Sequence, residues 1–404
     1  MSKKIVTLFS QNTIVKAAEF ENIYVINIIL KEQMKMNTFH KAIKTANESH
    51  IINDLKELDI LMNSIINRHP DVDAIVSFTD TNNGIQKATE YSDKYLYNNK
   101  TFNAESLKIA NNKFSTRKFL DAKKLNNVNF KVGQNKYDIF AFFKQYGKCV
   151  VKDINGQGSK DVYIIQNLEQ IDLIPDNFRN FLIEEFIDGL EFSVESIISD
   201  GKYYQIGVTM KTLIGDNKNN HNPIVEKGHL FPADIKPNIE SSIHRFLYEF
   251  FKNSGIKNSI VHSEVIIKNE KVFLIETHLR AGGDYIPKLI EYSTGINIYK
   301  LFFKSLYESL TTEDFKKTKC SSSRVEYLIP KIGKIKDYQI NFNEIDEPYI
   351  TKNYLTLKEN MNITAITESF DRKCGCLIIT HDFNSEEIMK RCLNNINLNY
   401  YGDD

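Results

Sequence analysis

Two glutamates stand in otherwise apolar segments on either side of a short turn. Glu264 lies within Ile260–Ile267 and Glu276 within Val272–Thr277, with Asn269 and Glu270 between the segments. Segments of that composition read as strands, and so short a turn joins them as an antiparallel pair. Pairing can then set the two carboxylates side by side. Like charges forced together among apolar residues need a counter-charge, and hard oxygen ligands of this kind suit Mg²⁺ bridging phosphates. If the second strand continues, its alternate residues His278 and Arg280 face the same way as Glu276. Carboxylate, imidazole and guanidinium on one face, followed by Gly282, Gly283 and Asp284, would be costly in a mere core. A solvated sheet face whose charges pair among themselves is the plainer alternative; the concentration of reactive groups favours a site.

The rest of the chain limits what can surround that hairpin. Its 404 residues allow two to four structural units, and 42% hydrophobic residues are ordinary for a folded protein. Charges balance at 52 against 52, which gives no electrostatic case for nucleic acid or an anionic membrane as partner. No apolar run approaches the roughly 18 residues of a membrane span. The start, Met1–Ser10, reads as a first strand rather than a signal peptide, because no small-residue cleavage site follows it. Five scattered cysteines (Cys149, Cys320, Cys374, Cys376, Cys392) favour a reducing compartment, and Cys374 and Cys376 lack the second pair a zinc site needs. The expectation is a cytoplasmic protein without flexible linkers.

Strand and helix character alternate at first. Lys4–Phe9, Ile23–Ile29 and Asp73–Thr79 read as strands, and Phe39–Arg68 as a long helical pattern. This predicts a doubly wound parallel sheet over roughly the first 105 residues. Asp80, at a strand's carboxyl end, lines a site there or caps the next helix. From Lys148 the texture becomes antiparallel: Lys148–Lys152, Val162–Gln166, Phe181–Phe186, Phe192–Ile198 and Tyr203–Gly207, with Gly, Asn and Asp in the turns. Ser241–Ser254 is an amphipathic helix, with Gly255 just past its end, and beyond Ser321 the pattern is mixed. Asn384 and Glu387 predict a capping box for a last helix.

Two further constellations carry chemistry. Lys152 ends an apolar strand before Gly156, Gly158 and Ser159, so an ammonium and backbone N–H groups can surround a polyphosphate. No Gly-Lys-Ser/Thr closes this loop, so it is not a P-loop, and a plain hairpin turn is the competing reading. Phe181–Phe192 runs from a buried strand into Glu184, Glu185, Phe186 and Ile187, then Gly189 and Glu191. Backbone groups at Glu185 and Ile187 can meet an adenine edge and Glu191 a ribose hydroxyl; a hairpin with solvated acids is the alternative.

In this order, the three constellations resemble the ATP-grasp superfamily, and above all its carboxylate–amine ligases, which include L-amino-acid ligases. Biotin carboxylase and D-alanine–D-alanine ligase are similar too. The resemblance covers nearly the whole chain. It implies an ATP-grasp fold of mixed α/β and α+β class. An N-terminal α/β domain would span 1–105, linker helices and an antiparallel lid subdomain 106–190, a catalytic subdomain 191–320 and a biotin-carboxylase-like C-terminal lobe 321–404. It implies ATP and Mg²⁺ as cofactors. Lys113 and Lys152 would meet phosphate, the Gly156–Ser159 loop would close over it, and Glu184, Glu185, Phe186, Ile187 and Glu191 would hold the nucleoside. Glu264 and Glu276 would hold metal. Arg280 would steady the acyl phosphate and developing oxyanion. Lys211, Glu226 and His229, with Gly282, Gly283 and Asp284, would lie near the substrates.

This sequence departs from the family at His278, where Asn is usual, which puts the second metal position and the preference for Mg²⁺ over Mn²⁺ in question. What the resemblance implies is an ADP-forming ligase that joins a carboxylate to an amine, with amino acids as the leading substrates and a homodimer as the family's habit. ATP-dependent carboxylation and purine-type ligation use the same fold. An ATP-binding protein without turnover is the reading from another class.

Overall fold

The computed structural model describes residues 3–154, 156, 161–215 and 221–402. Near-continuous apolar runs open the chain at β1 (Lys4–Leu8) and β2 (Tyr24–Leu30), and both are buried. Such runs need cover on two faces, the situation of a parallel sheet. That sheet has the order β3-β2-β1-β4, with β3 (Glu48–Ile52) and β4 (Ala74–Ser77), and every pair is parallel. Helices α1 (Asn12–Phe20) and α2 (Asn37–Thr45) pack in one apolar cluster, α3 (Leu58–Arg68) and α4 (Gly84–Tyr95) in another. The doubly wound reading holds. The helix expected over Phe39–Arg68 does not, because β3 splits it. Asn47 Oδ1 accepts from the Val25 N–H at 2.8 Å and docks that strand on β2, a tertiary bond overriding local helix preference.

Two linker helices, α5 (Ala104–Asn111) and α6 (Lys113–Ala122), lead into a four-stranded antiparallel sheet of order β5-β8-β6-β7. Its strands are β5 (Phe130–Gly133), β6 (Cys149–Asp153), β7 (Val162–Ile165) and β8 (Phe181–Glu185); α7 (Lys136–Tyr146) packs on them.

The largest sheet has eight strands, β13-β12-β9-β10-β11-β14-β18-β16, all antiparallel. They are β9 (Leu190–Ser199), β10 (Lys202–Leu213), β11 (Glu226–Phe231), β12 (Ser259–Lys268), β13 (Lys271–His278), β14 (Ser322–Tyr327), β16 (Ile350–Asn353) and β18 (Cys376–His381). Asn269 and Glu270 both take positive φ, 49° and 62°, so β12 and β13 meet in the two-residue turn expected. Alternation divides the sheet's faces. Val194, Val208, Val261, Val265 and Leu274 pack under α5, α6 and α8 (Pro237–Phe251). On the opposite face, Ile197, Ile260 and Phe231 pack with α9 (Ile286–Thr294) and α10 (Ile298–Ser305).

The sheet crosses the boundary expected at residue 320. Beyond it, β15 (Gly333–Ile340), β17 (Asn362–Ile363) and β19 (Ile396–Tyr400) form a small sheet beside α11 (Ser385–Asn394). The expected capping box is absent from α11: the Phe383 and Asn384 N–H groups both donate to His381 Nδ1 at 3.0 Å, and Glu387 pairs with Arg391. The cysteines are free, four of them buried. Among the described residues no helix is long and apolar enough to cross a membrane.

The seam between β11 and β14 rests on Gly228. A Cβ there would stand 2.4 Å from the Val325 carbonyl oxygen, and backbone cannot swing aside as a side chain can. Gly228→Ala should cost about 1–3 kcal/mol, read as a lowered urea midpoint. Gly283→Ala, where a Cβ meets nothing within 4 Å, should stay within about 0.5 kcal/mol.

Candidate active site

The free face of the large sheet carries the charges. Register puts Glu264 opposite Glu276 and also opposite Ser193, His262 opposite His278 and Glu195, and Lys211 opposite His229. Paired residues share a face, so alternation alone gathers carboxylates, imidazoles and an ammonium on one floor. Above it lies a cleft of about 470 Å³, walled by the lid sheet on one side and by residues 369–372 of the C-terminal lobe on the other.

At one end two lysines enter from outside the floor. Lys113, the first residue of α6, reaches Glu276 Oε2 at 3.0 Å and donates to the Gly156 carbonyl at 2.6 Å. Lys152, on β6, lies 2.7 Å from Glu184 Oε2. Burial pulls the Lys152 ammonium below the usual lysine value; Glu184 opposes that, and Arg117 and Lys113 add to it. Gly158 and Ser159 lie outside the described residues.

Glu184 is the anchor of this wall. Arg117 of α6, 1% exposed, donates Nε to Glu184 Oε1 at 2.6 Å and Nη1 and Nη2 to the Leu274 and Ile275 carbonyls at 2.5 and 3.2 Å. One guanidinium thus ties helix, lid strand and floor strand together. Burial alone would raise the Glu184 carboxyl, but Arg117 and Lys152 outweigh it and hold it at about 2. Its side chain is therefore committed to Arg117 and Lys152. Further along, the Glu185 N–H is engaged, donating to Asn129 O at 2.9 Å. Phe186, Ile187, Val150 and Ile266 line the apolar part of the cleft.

Lys211 sits amid three carboxylates, 2.6 Å from Glu191, 3.0 Å from Glu264 and 3.3 Å from Glu226. Burial would weaken its proton's hold, yet the three acids raise it well above the ordinary lysine value. Burial, with Glu264 and Glu226 nearby, raises the Glu191 carboxyl against the pull of Lys211. The Glu264 carboxyl stays at about 2, because Lys211 and His262 overcome burial and the repulsion of Glu276. Glu276 stands well below the usual range; Lys113 and His278 outweigh its burial.

Behind Glu264, His262 bridges two carboxylate acceptors, Glu195 through Nδ1 and Glu264 through Nε2 at 3.3 Å. Burial disfavours the imidazolium, but the two carboxylates raise its pKa to about 9. Glu195 also accepts from the Gly282 N–H at 3.1 Å.

At the far end, Asp284 accepts both arms of Arg372 at 2.7 and 2.8 Å and the Tyr327 hydroxyl at 3.0 Å, with His229 Nε2 at 3.4 Å. Burial would raise its carboxyl, but His229 and Arg372 hold it well below the usual range. Ser369 Oγ donates to Glu226 Oε2 at 2.9 Å. The C-terminal lobe is thereby latched onto the far end of the cleft. Arg280 lines the cleft and pairs with Asp80 of the N-terminal unit; Gly283 is open to the same space.

Apart from Gly158 and Ser159, the residues expected from sequence line this cleft or, like Gly282, border it. Sequence reasoning missed Arg117, Glu195, His262, Ser369 and Arg372. Arg117 stood four residues after Lys113 in the same helical run, and the spacing signalled only a shared helix face. Among the described residues no three His, Cys, Asp or Glu side chains converge to hold a metal ion by themselves. Two adjacent carboxylates that pair with lysines and are flanked by His262 and His278 still fit Mg²⁺, which keeps waters and phosphate oxygens as its other ligands.

Comparison with known proteins gives this arrangement a class. Residues 146–288 match the ATP-grasp domain family model. Among curated proteins the chain is similar to carbamoyl-phosphate synthase of Methanobrevibacter smithii, 24% identical over 185 residues, 45% of this chain and 48% of that protein. The chain thus spans about half the length of the curated relative it matches. Among solved structures it is similar to L-amino acid ligase from Bacillus licheniformis, with TM-score 0.76 and 17% identity over 99% of each chain. Phosphoribosylglycinamide synthetase from Anaerococcus prevotii follows at TM-score 0.69 and 21% identity, covering 99% of this chain and 100% of that one. A biotin carboxylase–β,γ-ATP complex from Campylobacter jejuni gives TM-score 0.67 and 15% identity over 98% and 92% of the two chains. The chain carries an ATP-grasp domain, and over its whole length it has the ATP-grasp fold.

The Arg117–Glu184 pair makes a direct prediction. Arg117→Met leaves a buried carboxylate with one cation fewer and should cost about 3–5 kcal/mol in chemical denaturation. Glu184 sits at about 2 in the folded protein against 4.5 unperturbed, a lowered value. Its contribution is therefore complete above pH 4.5 and lost as pH falls towards 2. The variant's stability should decline less steeply than the wild type's over that window.

Proposed function

We propose that the protein is an ATP-dependent, ADP-forming ligase that joins a carboxylate to an amine through an acyl phosphate, acting on amino acids. The observation that carries this reading is a single cleft holding Lys113, Lys152, the Glu264–Glu276 pair and Arg280, with groups of both signs at its far end. Lys211 and Arg372 with Glu226 and Asp284 suit a substrate that carries both an ammonium and a carboxylate.

In the first step a substrate carboxylate oxygen bonds to the γ-phosphorus, and the bond from that phosphorus to the β-phosphate bridge oxygen breaks, releasing ADP. Lys113 and Lys152 face the charge that spreads over the phosphoryl oxygens, each leaving a glutamate to do so. Glu264 and Glu276 would hold Mg²⁺, with His278 beside Glu276; the ion would supply the balancing positive charge on the phosphates. In the second step the neutral amine attacks the acyl carbon, the carbon–oxygen bond to phosphate breaks, and the amine's excess proton goes to solvent or an adjacent carboxylate. Arg280 faces the tetrahedral oxyanion. Closure of the lid sheet keeps water from the acyl phosphate.

The test is ATP turnover with Mg²⁺ or Mn²⁺ against amino acids singly and in pairs, with hydroxylamine present to trap the acyl group. Substrate-dependent ADP together with a hydroxamate is the expected result. AMP and pyrophosphate would overturn the acyl-phosphate mechanism, and ADP released with bicarbonate and biotin but with no amino acid would assign carboxylation instead. Glu276→Gln should lower kcat by about a hundredfold or more while the protein stays folded.

A further inference from the structure

None of the residues lining the cleft precedes Lys113, although more than a hundred residues of folded chain come before it. The N-terminal unit nevertheless reaches the chemistry at one point. Asp80 follows β4 at the carboxyl edge of the parallel sheet, its side chain 9% exposed, and its Oδ2 accepts from Arg280 Nε. The same oxygen stands 3.8 Å from His278 Nδ1, a buried atom with no hydrogen-bond partner among the described residues. Arg280 Nη1 is also committed, to the Ala281 carbonyl at 2.9 Å. Two bonds from different nitrogens fix the plane of the guanidinium, which an ammonium of equal charge could not reproduce.

Both loops that make this contact have unusual backbone. After Asp80, Asn82 and Asn83 take positive φ, 57° and 54°, and a Cβ on Gly84 would stand 2.7 Å from the Thr79 carbonyl oxygen. After Arg280, Asp284 and Tyr285 take positive φ, 47° and 64°, although neither is glycine. Left-handed backbone is tolerated at Asn and Asp; at a bulky residue such as Tyr285 it survives only where its surroundings over-determine it. Here it flanks one ion pair from both sides.

We propose that Asp80 is a positioning residue: it holds Arg280 in the orientation that meets the acyl phosphate and oxyanion, so that the N-terminal unit completes the active site without touching a substrate. The role assigned to Arg280 rests on the ligase reading; the Asp80–Arg280 contact does not. Asp80→Ala should lower kcat by about a hundredfold and Asp80→Asn by about tenfold, with KM for ATP within about threefold and Tm unchanged. Asp80→Glu should recover part of the loss. In an Arg280→Lys background, Asp80→Ala should cost no more than about threefold further, since the orientation it served is already gone.

A kcat unchanged in Asp80→Ala would overturn the proposal, as would a full additive loss in the Arg280→Lys background. A loss that tracks a lowered Tm or a weakened ATP affinity would make Asp80 a mere tie between domains, and would overturn it equally. Should Asp80→Ala not fold, Asp80→Asn, which keeps the volume, carries the same comparison. The nitrogen-15 resonance of Arg280 Nε reads the contact without any substrate: a proton that exchanges slowly in the wild type and rapidly in Asp80→Asn is expected. Equal exchange in both would overturn the positioning role. A wild type without ligase turnover but with the expected exchange would fault the ligase reading and leave the positioning intact.

Discussion

The structure turns on two carboxylates that cannot avoid each other. Register in the β12–β13 hairpin fixes Glu264 beside Glu276, and no rotamer choice separates them far. Their mutual repulsion is met by cations, Lys113 from the linker helix, Lys211 from β10 and His262 from the hairpin itself, with the His278 ring beside Glu276. Two of them then bind further acids, Lys211 reaching Glu191 and Glu226 and His262 reaching Glu195. The floor of the cleft is therefore a connected ionic sheet, and every neighbouring unit is oriented by a charge it supplies.

Buried ion pairs are weak evidence for net stability, since desolvation consumes much of the Coulombic gain. Their use here is directional. Arg117 satisfies one carboxylate and two backbone carbonyls at once, so the lid strand β8, the helix α6 and the floor strand β13 have one relative arrangement that leaves nothing buried unpaired. Arg372 does the same at the far end, bridging Asp284 and the Glu226 carbonyl.

Much of this was legible in the chain. Period-two alternation located the hairpin and predicted which of its side chains share a face; apolar runs located the parallel sheet. Lys113 was singled out only by resemblance and Lys152 chiefly by it, because a lysine at the end of a helix or strand has many ordinary reasons to be there. What stayed hidden depends on contacts between distant segments. Arg117 looks like any helix arginine until β13 closes over it, and Arg372 sits in a loop with no periodicity. The strand β3 was hidden because its five residues gain their partner only from β2. The capping box failed because His381 already accepts from the Asn384 N–H that the Glu387 side chain would have met.

On the ligase reading, the two lysines assigned to phosphate already pair with carboxylates within the fold, Lys113 with Glu276 and Lys152 with the Glu184 that Arg117 shares. Filling the cleft is then an exchange of counter-ions rather than the capture of an anion by bare positive charge. Little long-range field leaks out of such a pre-compensated site. Encounter with a nucleotide gains little from electrostatic steering, and its affinity is less sensitive to ionic strength than a tally of basic residues suggests.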